Sequence, residues 1–388
     1  MVRFLVLQTL PKPAVFSPNN ALLTLARKLD RSRFAMTVAV PRSGLLSEAL
    51  EKEGIRVVTV AGLSSYRRHD AMWRLPVVGL KLARLVSRLG ARLLVSNHAE
   101  LGPFADLASR LCRIPWICFL RQSDRPPAYY EKYRVARAGA VAAVSAAALK
   151  AYHAYLASRG KTANLTRVIP TGIDLPSEED SAIHGSPGSP REPGGHAPTV
   201  GTVGLRSVKR PDLFLEIFSR VRRRLPLARA MMIGAAEPTE LRQLQAMATS
   251  LGVADAVEFP GQQQDMGNWY PRMDAYAHSS RSEALPKVVL EAMAHSRPVV
   301  AFDVGGIGEA VSNGETGYLC AEGDLESFSS AVTRLLSDPA LARQLGTAGR
   351  IRVEQCFSSQ AMTQGMMALL DEVLQAPASG RSAAVSSR

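Results

Sequence analysis

Two carboxylates, Glu283 and Glu291, stand eight positions apart around a proline in the run Ser-Glu-Ala-Leu-Pro-Lys-Val-Val-Leu-Glu. Pro286 can open a helix, because the N–H that it lacks would be unpaired at a first helical position. Residues 287–294 read as that helix, and Pro298 lies beyond its end. A helix N-terminus offers free backbone N–H groups and partial positive charge, which suit a phosphate. The peptide groups of Ala284, Leu285 and Lys287 are therefore candidate phosphate contacts. Glu283 precedes the terminus and Glu291 lies about 1.5 turns inside it. One acid can address hydroxyls on one side of a bound diphosphate while the other addresses hydroxyls on the far side. A sugar–diphosphate–ribose ligand has that layout.

A second set of residues could serve the same diphosphate. An apolar run at 199–204 ends in Gly204-Leu-Arg206-Ser-Val-Lys209-Arg210. A glycine-bearing turn after a strand lets the backbone approach a diphosphate, and nearby cations neutralise it. The bland alternative is a set of solvated cations at a helix start. For Glu291 the bland alternative is an exposed helix residue. Its setting in Val-Val-Leu-Glu-Ala-Met-Ala argues against that, because burying an unpaired carboxylate is costly.

These segments need a scaffold, and short apolar strands alternating with amphipathic helices predict α/β architecture with parallel sheets. Strands are expected at 3–7, 35–40, 56–60, 92–96, 116–120 and 140–144, and helices at 21–29, 45–52, 72–89 and 103–111. Ser145 is placed to cap a further helix running through Tyr152. Residues 176–198, rich in Pro, Gly and Ser, read as a linker. Beyond it, strands are expected at 199–204, 228–233, 257–259 and 275–278. Helices are expected at 211–225, 240–251, 266–272, 325–336, 339–357 and 358–374. The reading is thus a first domain over 1–175, a linker over 176–198 and a second domain over 199–357. A last helix occupies 358–375, and the tail 376–388 is expected to be disordered.

Ser-Glu-Ala-Leu-Pro, Glu291-Ala-Met-Ala, Arg297-Pro-Val-Val, Gly305-Gly-Ile-Gly-Glu309 and Gly314-Glu-Thr-Gly317, in that order, resemble the donor-binding segment of family 4 of the retaining glycosyltransferases. Ile-Pro-Thr-Gly-Ile-Asp at 169–174 is similar to the segment that closes that family's first domain. The resemblance implies a GT-B fold: two Rossmann-like domains with parallel sheets facing a central cleft, and a C-terminal helix crossing back to the first domain. It places Arg206 and Lys209 at the donor diphosphate, stabilising the leaving group as charge accumulates, with Gly204 in the turn and Arg210 able to replace either cation. It sets Glu283 against the transferred sugar and Glu291 against the ribose diol. No metal or other cofactor is expected.

This chain departs from the pattern in several places. Ala284-Leu285-Pro286 replaces Gly-Phe-Pro, and the lysine follows its glycine one residue early. In the first domain Phe-Ser-Pro-Asn19-Asn20 stands where relatives have a glycine-rich loop, and Arg121-Gln-Ser-Asp124 stands where they have a histidine. Asn19, Asn20, Arg121, Asp124 and His98 are the acceptor-side candidates.

Composition bounds the partners. Residues 1–175 carry 27 Lys and Arg against 10 Asp and Glu, a net of +17, and the remainder nets −4. A basic first half suits an anionic surface, a lipid-linked phosphate or an anionic polysaccharide. Nucleic acid is not expected, since no zinc-finger spacing, RNP-like strand or basic zipper accompanies the charge. The basic segment at 72–89 sets Lys81, Arg84 and Arg88 near one face and Val78, Leu82, Leu85 and Leu89 near another. That pattern fits either a membrane surface or a helix on a sheet. The four cysteines lack metal or disulfide spacing, and no apolar run is long enough to span a membrane. The expectation is a cytoplasmic retaining glycosyltransferase, peripheral at the membrane's inner face, moving sugar to a polysaccharide, lipopolysaccharide or lipid-linked acceptor. A nucleotide-sugar epimerase and an inactive binding protein on the same fold are the alternatives.

Overall fold

Continuous runs of Val, Leu, Ile and Ala, with no polar alternation, mark strands buried on both faces of parallel sheets. The computed structural model describes residues 1–9, 17–66, 71–162, 164–176 and 197–376, with backbone alone at 17–20, 71 and 72. The side chains of Asn19 and Asn20, most of the linker and the tail lie outside the described residues.

Seven strands form the first sheet: β1 (Val2–Leu7), β2 (Phe34–Val40), β3 (Arg56–Thr59), β4 (Leu93–Ser96), β5 (Trp116–Leu120), β6 (Ala140–Ala143) and β7 (Leu165–Val168). Their order is β3-β2-β1-β4-β5-β6-β7, and every pairing is parallel. The register sets Leu7 beside Ser96 and Ser96 beside Cys118, so β1 and β4 end at one level and β5 runs two residues further, to Leu120. Six more strands form the second sheet: β8 (Thr199–Val203), β9 (Arg229–Ile233), β10 (Val257–Gly261), β11 (Ala275–His278), β12 (Val299–Phe302) and β13 (Gly317–Cys320). They run β10-β9-β8-β11-β12-β13, again all parallel. Each sheet grows outward in one direction and then the other, reversing between β1 and β4 and between β8 and β11. In open parallel sheets the crevice beyond the carboxyl ends at such a reversal is where ligands bind.

The chain divides into two compact units, one built on residues 1–172 and the last helix, the other on Ile173–Ser358. The first unit is closed by Ser359–Gln375, whose Met362, Met366, Leu369 and Leu370 are buried. At its surface Arg33 pairs with Asp371 and Arg167 with Glu372, each at 2.5 Å. Such exposed pairs add little stability. Trp116, Phe104, Tyr130 and Tyr152 anchor the first core, and Phe214, Phe218, Phe302 and Phe328 the second. Ser145 does cap Ala146–Ser158, its hydroxyl accepting the Ala148 N–H at 3.2 Å.

One expected helix is absent and two unexpected elements are present. Residues 266–272 form no full helix; only a 3₁₀ turn, Tyr270–Arg272, is present. Gly267, whose N–H is taken by the Asp265 carboxylate at 2.9 Å, and Pro271 account for the failure. The edge strand β7 and the helix Pro127–Lys132 were not expected, because Leu-Thr-Arg-Val and Pro-Ala-Tyr-Tyr-Glu-Lys carry no clear period. In Ala71–Leu89, Val78, Leu82 and Leu89 lie in the core, as an ordinary sheet-covering helix requires. Among the described residues no helix is long and apolar enough to cross a membrane.

Candidate active site

Beyond the carboxyl ends of β8 and β11 the second unit gathers an ion-paired polar cluster. β8 leads to Gly204 at φ +100, a left-handed conformation open to glycine, and then to the 3₁₀ turn Ser207–Lys209. Gly204 packs against the Lys209 stem, where an added Cβ would come within 3.3 Å. The turn is tied to the loop after β11: Ser279 Oγ donates to the carbonyls of Lys209 (3.1 Å) and Arg210 (2.9 Å), and Ser280 Oγ is 3.1 Å from the Val208 carbonyl. That brings Lys209 Nζ onto Glu283 Oε1 as a salt bridge across 74 positions, with both side chains mostly buried.

Oε1 of Glu283 also lies 3.1 Å from His278 Nε2 and 2.8 Å from Ser280 Oγ. His278 Nδ1 is 3.3 Å from the Tyr276 hydroxyl. These partners assign the Nε2–H tautomer, with Nδ1 accepting from tyrosine. Burial lowers the His278 pKa below its usual value, against the pull of Glu283, so the ring is neutral at pH 7. Burial pulls the Glu283 pKa upward, but the His278 hydrogen bond and the Lys209 charge outweigh it and hold the acid at about 2. Glu283 is therefore a fixed carboxylate, an acceptor and not an acid catalyst. All its bonds fall on Oε1, which leaves Oε2 to accept from a ligand hydroxyl. Its backbone is held as firmly: the Gly306 N–H donates to the Glu283 carbonyl at 2.9 Å, and a Cβ on Gly305 would collide with that oxygen.

The helix after this loop runs Lys287–Ala294, with Pro286 at its N-cap, one position earlier than the first helical residue. Leu285 and Pro286 are buried, and Ala284 and Lys287 half-buried. Glu291 pairs with Lys287 at 2.8 Å and accepts from the Tyr270 hydroxyl at 3.0 Å. It is thus neither unpaired nor fully buried. Tyr270 and Tyr276 meet edge to face, with ring centroids 6.2 Å apart, and so bridge the surroundings of the two acids. Burial, then the charge of Glu291, raises the Tyr270 pKa, so its hydroxyl stays a donor.

The other two cations named from the resemblance sit just before and just after the same turn. Arg206 is exposed at the head of the 3₁₀ turn, where its carbonyl accepts the Lys209 N–H at 2.8 Å. Arg210 is turned away, with Nε and Nη2 bonded to the Asp212 carboxylate at 2.7–3.0 Å. A carboxylate two residues on thus holds the Arg210 guanidinium.

In the first unit, three acceptor-side candidates fall beyond β4 and β5. Arg121 Nε donates to the Asn97 carbonyl at 3.1 Å and Nη2 to Asn97 Oδ1 at 2.5 Å. Asn97 Nδ2 donates to Gln8 Oε1 at 2.5 Å, and Gln8 Nε2 lies 3.5 Å from His98 Nε2. One polar chain thus links the ends of β1, β4 and β5. Asp124 is exposed in a left-handed backbone conformation at φ +56 and takes no part in that chain.

Residues 197–338 match the family described as Glycosyl transferases group 1, and residues 18–172 match the Glycosyl transferase 4-like domain. The chain belongs to the group 1 glycosyltransferases. It is 30% identical over 158 residues to an uncharacterised glycosyltransferase of Haemophilus influenzae, covering 40% of this chain and 44% of that protein. It is 33% identical over 172 residues to the D-inositol 3-phosphate glycosyltransferase of Frankia alni, covering 42% of each. The chain spans less than half the length of these curated relatives. Among solved structures it is similar to Anabaena Alr3699/HepE in complex with UDP, with a TM-score of 0.78 and 22% identity over 96% of this chain and all of that one. At that identity the likeness speaks for the fold.

For a group 1 glycosyltransferase the residues that sequence reasoning missed are His278, Ser280, Tyr270 and Tyr276. His278 carried a usable signal: it ends a parallel strand five positions before Glu283, where polar side chains face a ligand crevice. The two tyrosines carried none, because their hydroxyls meet the site only after the strands pair.

Proposed function

We propose that the chain is a retaining glycosyltransferase that moves a sugar from a nucleoside diphosphate donor to a cell-envelope, polysaccharide or lipid-linked acceptor. The carrying observation is the Lys209–Glu283 pair at the reversal of the second sheet, with Glu283 four residues before the start of the Lys287–Ala294 helix. A diphosphate at that helix N-terminus receives backbone N–H groups and faces the Lys209 ammonium. The UDP bound by the Anabaena protein is a ligand of this class. Glu283 Oε2 accepts from hydroxyls of the transferred sugar, and Glu291 from the ribose diol.

The reaction breaks the bond between the sugar's anomeric carbon and the diphosphate oxygen. Lys209, Arg206 and the helix terminus stabilise the oxygen that departs with the electron pair. Glu283 is held by Lys209, His278 and Ser280 and is assigned to the sugar hydroxyls, so in this reading the acceptor hydroxyl attacks from the face the diphosphate leaves, its proton passing to that phosphate oxygen. No metal is required, because the cations and peptide dipoles supply the compensating charge. The test is Glu283→Ala. Nucleoside diphosphate release with acceptor should collapse, while the fold and most nucleoside diphosphate affinity persist. Unchanged release would overturn the assignment, and release without any glycosylated product would favour an epimerase or hydrolase.

The first unit also fits a site of work at a lipid surface. Trp73, Val77 and Leu80 are exposed at 80%, 56% and 44% on the solvent face of Ala71–Leu89, and the same face continues into Lys81, Arg84 and Arg88. Apolar side chains followed by cations, with no acid between Asp70 and Glu100, suit the interface of an anionic bilayer.

A further inference from the structure

Arg121 is the charged group that this mechanism leaves without an account. Its guanidinium has five N–H donors. Two are spent on Asn97, and Nη1 has no hydrogen bond among the described residues. The charge stacks over the Phe119 ring at 4.5 Å and lines a pocket walled by Leu22, Ile169, Met362 and Met366, with Asn97 and Thr171 as its polar lining. No carboxylate among the described residues pairs with it. Burial alone lowers its pKa to about 10. Buried charges are ordinarily paired. Asp106 of the same unit, for example, takes both Arg134 (2.9 Å) and Arg137 (3.4 Å).

The place adds a second argument. Arg121 follows β5 and is held by a residue that follows β4, next to the reversal of the first sheet. The Gln8–Asn97–Arg121 chain locks the guanidinium plane before any ligand arrives, with Nη1 and the second Nη2 proton as an open fork. A planar fork on a half-buried arginine in an apolar-walled pocket suits a carboxylate or phosphate oxygen pair. The net +17 of residues 1–175 would draw such an anion in.

We propose that Arg121 is an oxyanion-binding residue, and that the acceptor carries a carboxylate or phosphate group seated on its guanidinium. The word acceptor rests on the glycosyltransferase reading; the anion site does not. Asn97 and Gln8 are positioning residues, and the apolar walls receive the carbon skeleton next to the anionic group.

The test uses the full chain labelled with ¹⁵N-arginine. The Arg121 Nε–H resonance, sheltered by its bond to the Asn97 carbonyl, is identified by its loss in Arg121→Lys. It should move saturably with inorganic phosphate, with acetate, or with both, beyond a chloride control. The two arms decide between a phosphate and a carboxylate acceptor. The shift should survive Lys209→Met, which separates it from anion binding at the donor cluster. If neither anion moves the resonance, Arg121 is only a strut for the Asn97 loop and the proposal fails. In product assays with acceptor pairs differing only in an anionic group, Arg121→Gln should raise KM for the charged member about tenfold, the loss of one charge-assisted contact. An equal effect on both members would overturn the proposal. If no acceptor is turned over, the transfer reading falls and the resonance still decides the anion site.

Discussion

Beyond β8 and β11, Lys209 has a carboxylate resting on it; beyond β4 and β5, Arg121 has an amide, an aromatic ring and no acid among the described residues. Both cations stand at the reversal of a parallel sheet, yet one crevice is internally neutralised and the other is not. The paired crevice can stay folded without its ligand, because Glu283 and Lys209 compensate each other. On the proposed function, a diphosphate would share Lys209 with Glu283, which keeps His278 and Ser280. The uncompensated crevice instead depends on whatever anion it collects. A lysine poised against an acid suits a charge that develops during reaction, and a bare guanidinium suits a charge that is already there.

The comparison can be broken in order of effect. Lys209→Met should cost the largest share of turnover, about 10³-fold, as loss of one preorganised group at a developing oxyanion does. It should also lower thermal stability, because it strands the Glu283 carboxylate in a mostly buried position. Turnover and differential scanning calorimetry check the two halves. Full activity would mean that the paired crevice does not hold the diphosphate. Next, Trp73→Ser should weaken binding to phosphatidylglycerol vesicles about tenfold and leave binding to neutral vesicles negligible, read by sedimentation. Equal binding by both proteins would remove the membrane face. Glu291→Gln should weaken nucleoside diphosphate binding by about 1–2 kcal/mol while sparing kcat, since its contact is equal in ground and transition states. Calorimetric titration decides this.

Acid should act on the second unit, and the sign follows from both groups there. His278 is lowered below 6.5 in the fold, so stability is lost as pH falls through 6.5 toward its folded value. Glu283 is lowered from 4.5 to about 2, so its contribution is full above 4.5 and vanishes as pH falls toward 2. The melting temperature should thus decline in two stages on acidification. His278→Gln should flatten the upper stage, the smallest of these effects.

The helix Lys287–Ala294 was legible to the residue, because Pro286 marks its start and the apolar pattern its body. Parallel sheets were implied by the β/α alternation and a cleft by the family resemblance, while the strand order came only with the structure. What could not be read were contacts that depend on pairing between distant strands. The Lys209–Glu283 bridge spans 74 positions and exists because β8 lies beside β11. Tyr270 reaches Glu291 from a turn that the pattern took for a helix. Arg210 was readable in principle: an aspartate two residues away competes with any distant ligand, and local geometry won. The Asn97 clamp on Arg121 was invisible, because nothing in either segment announces the other.

The glycine at 305 has a consequence for anyone wishing to change which sugar is used. Because the Glu283 carbonyl occupies the space a side chain would need there, and the neighbouring amide latches that carbonyl, randomising this position should return glycine alone. If Glu283 faces the transferred sugar as proposed, variation beside it should be better tolerated at Ala284, whose backbone carries no such latch among the described residues.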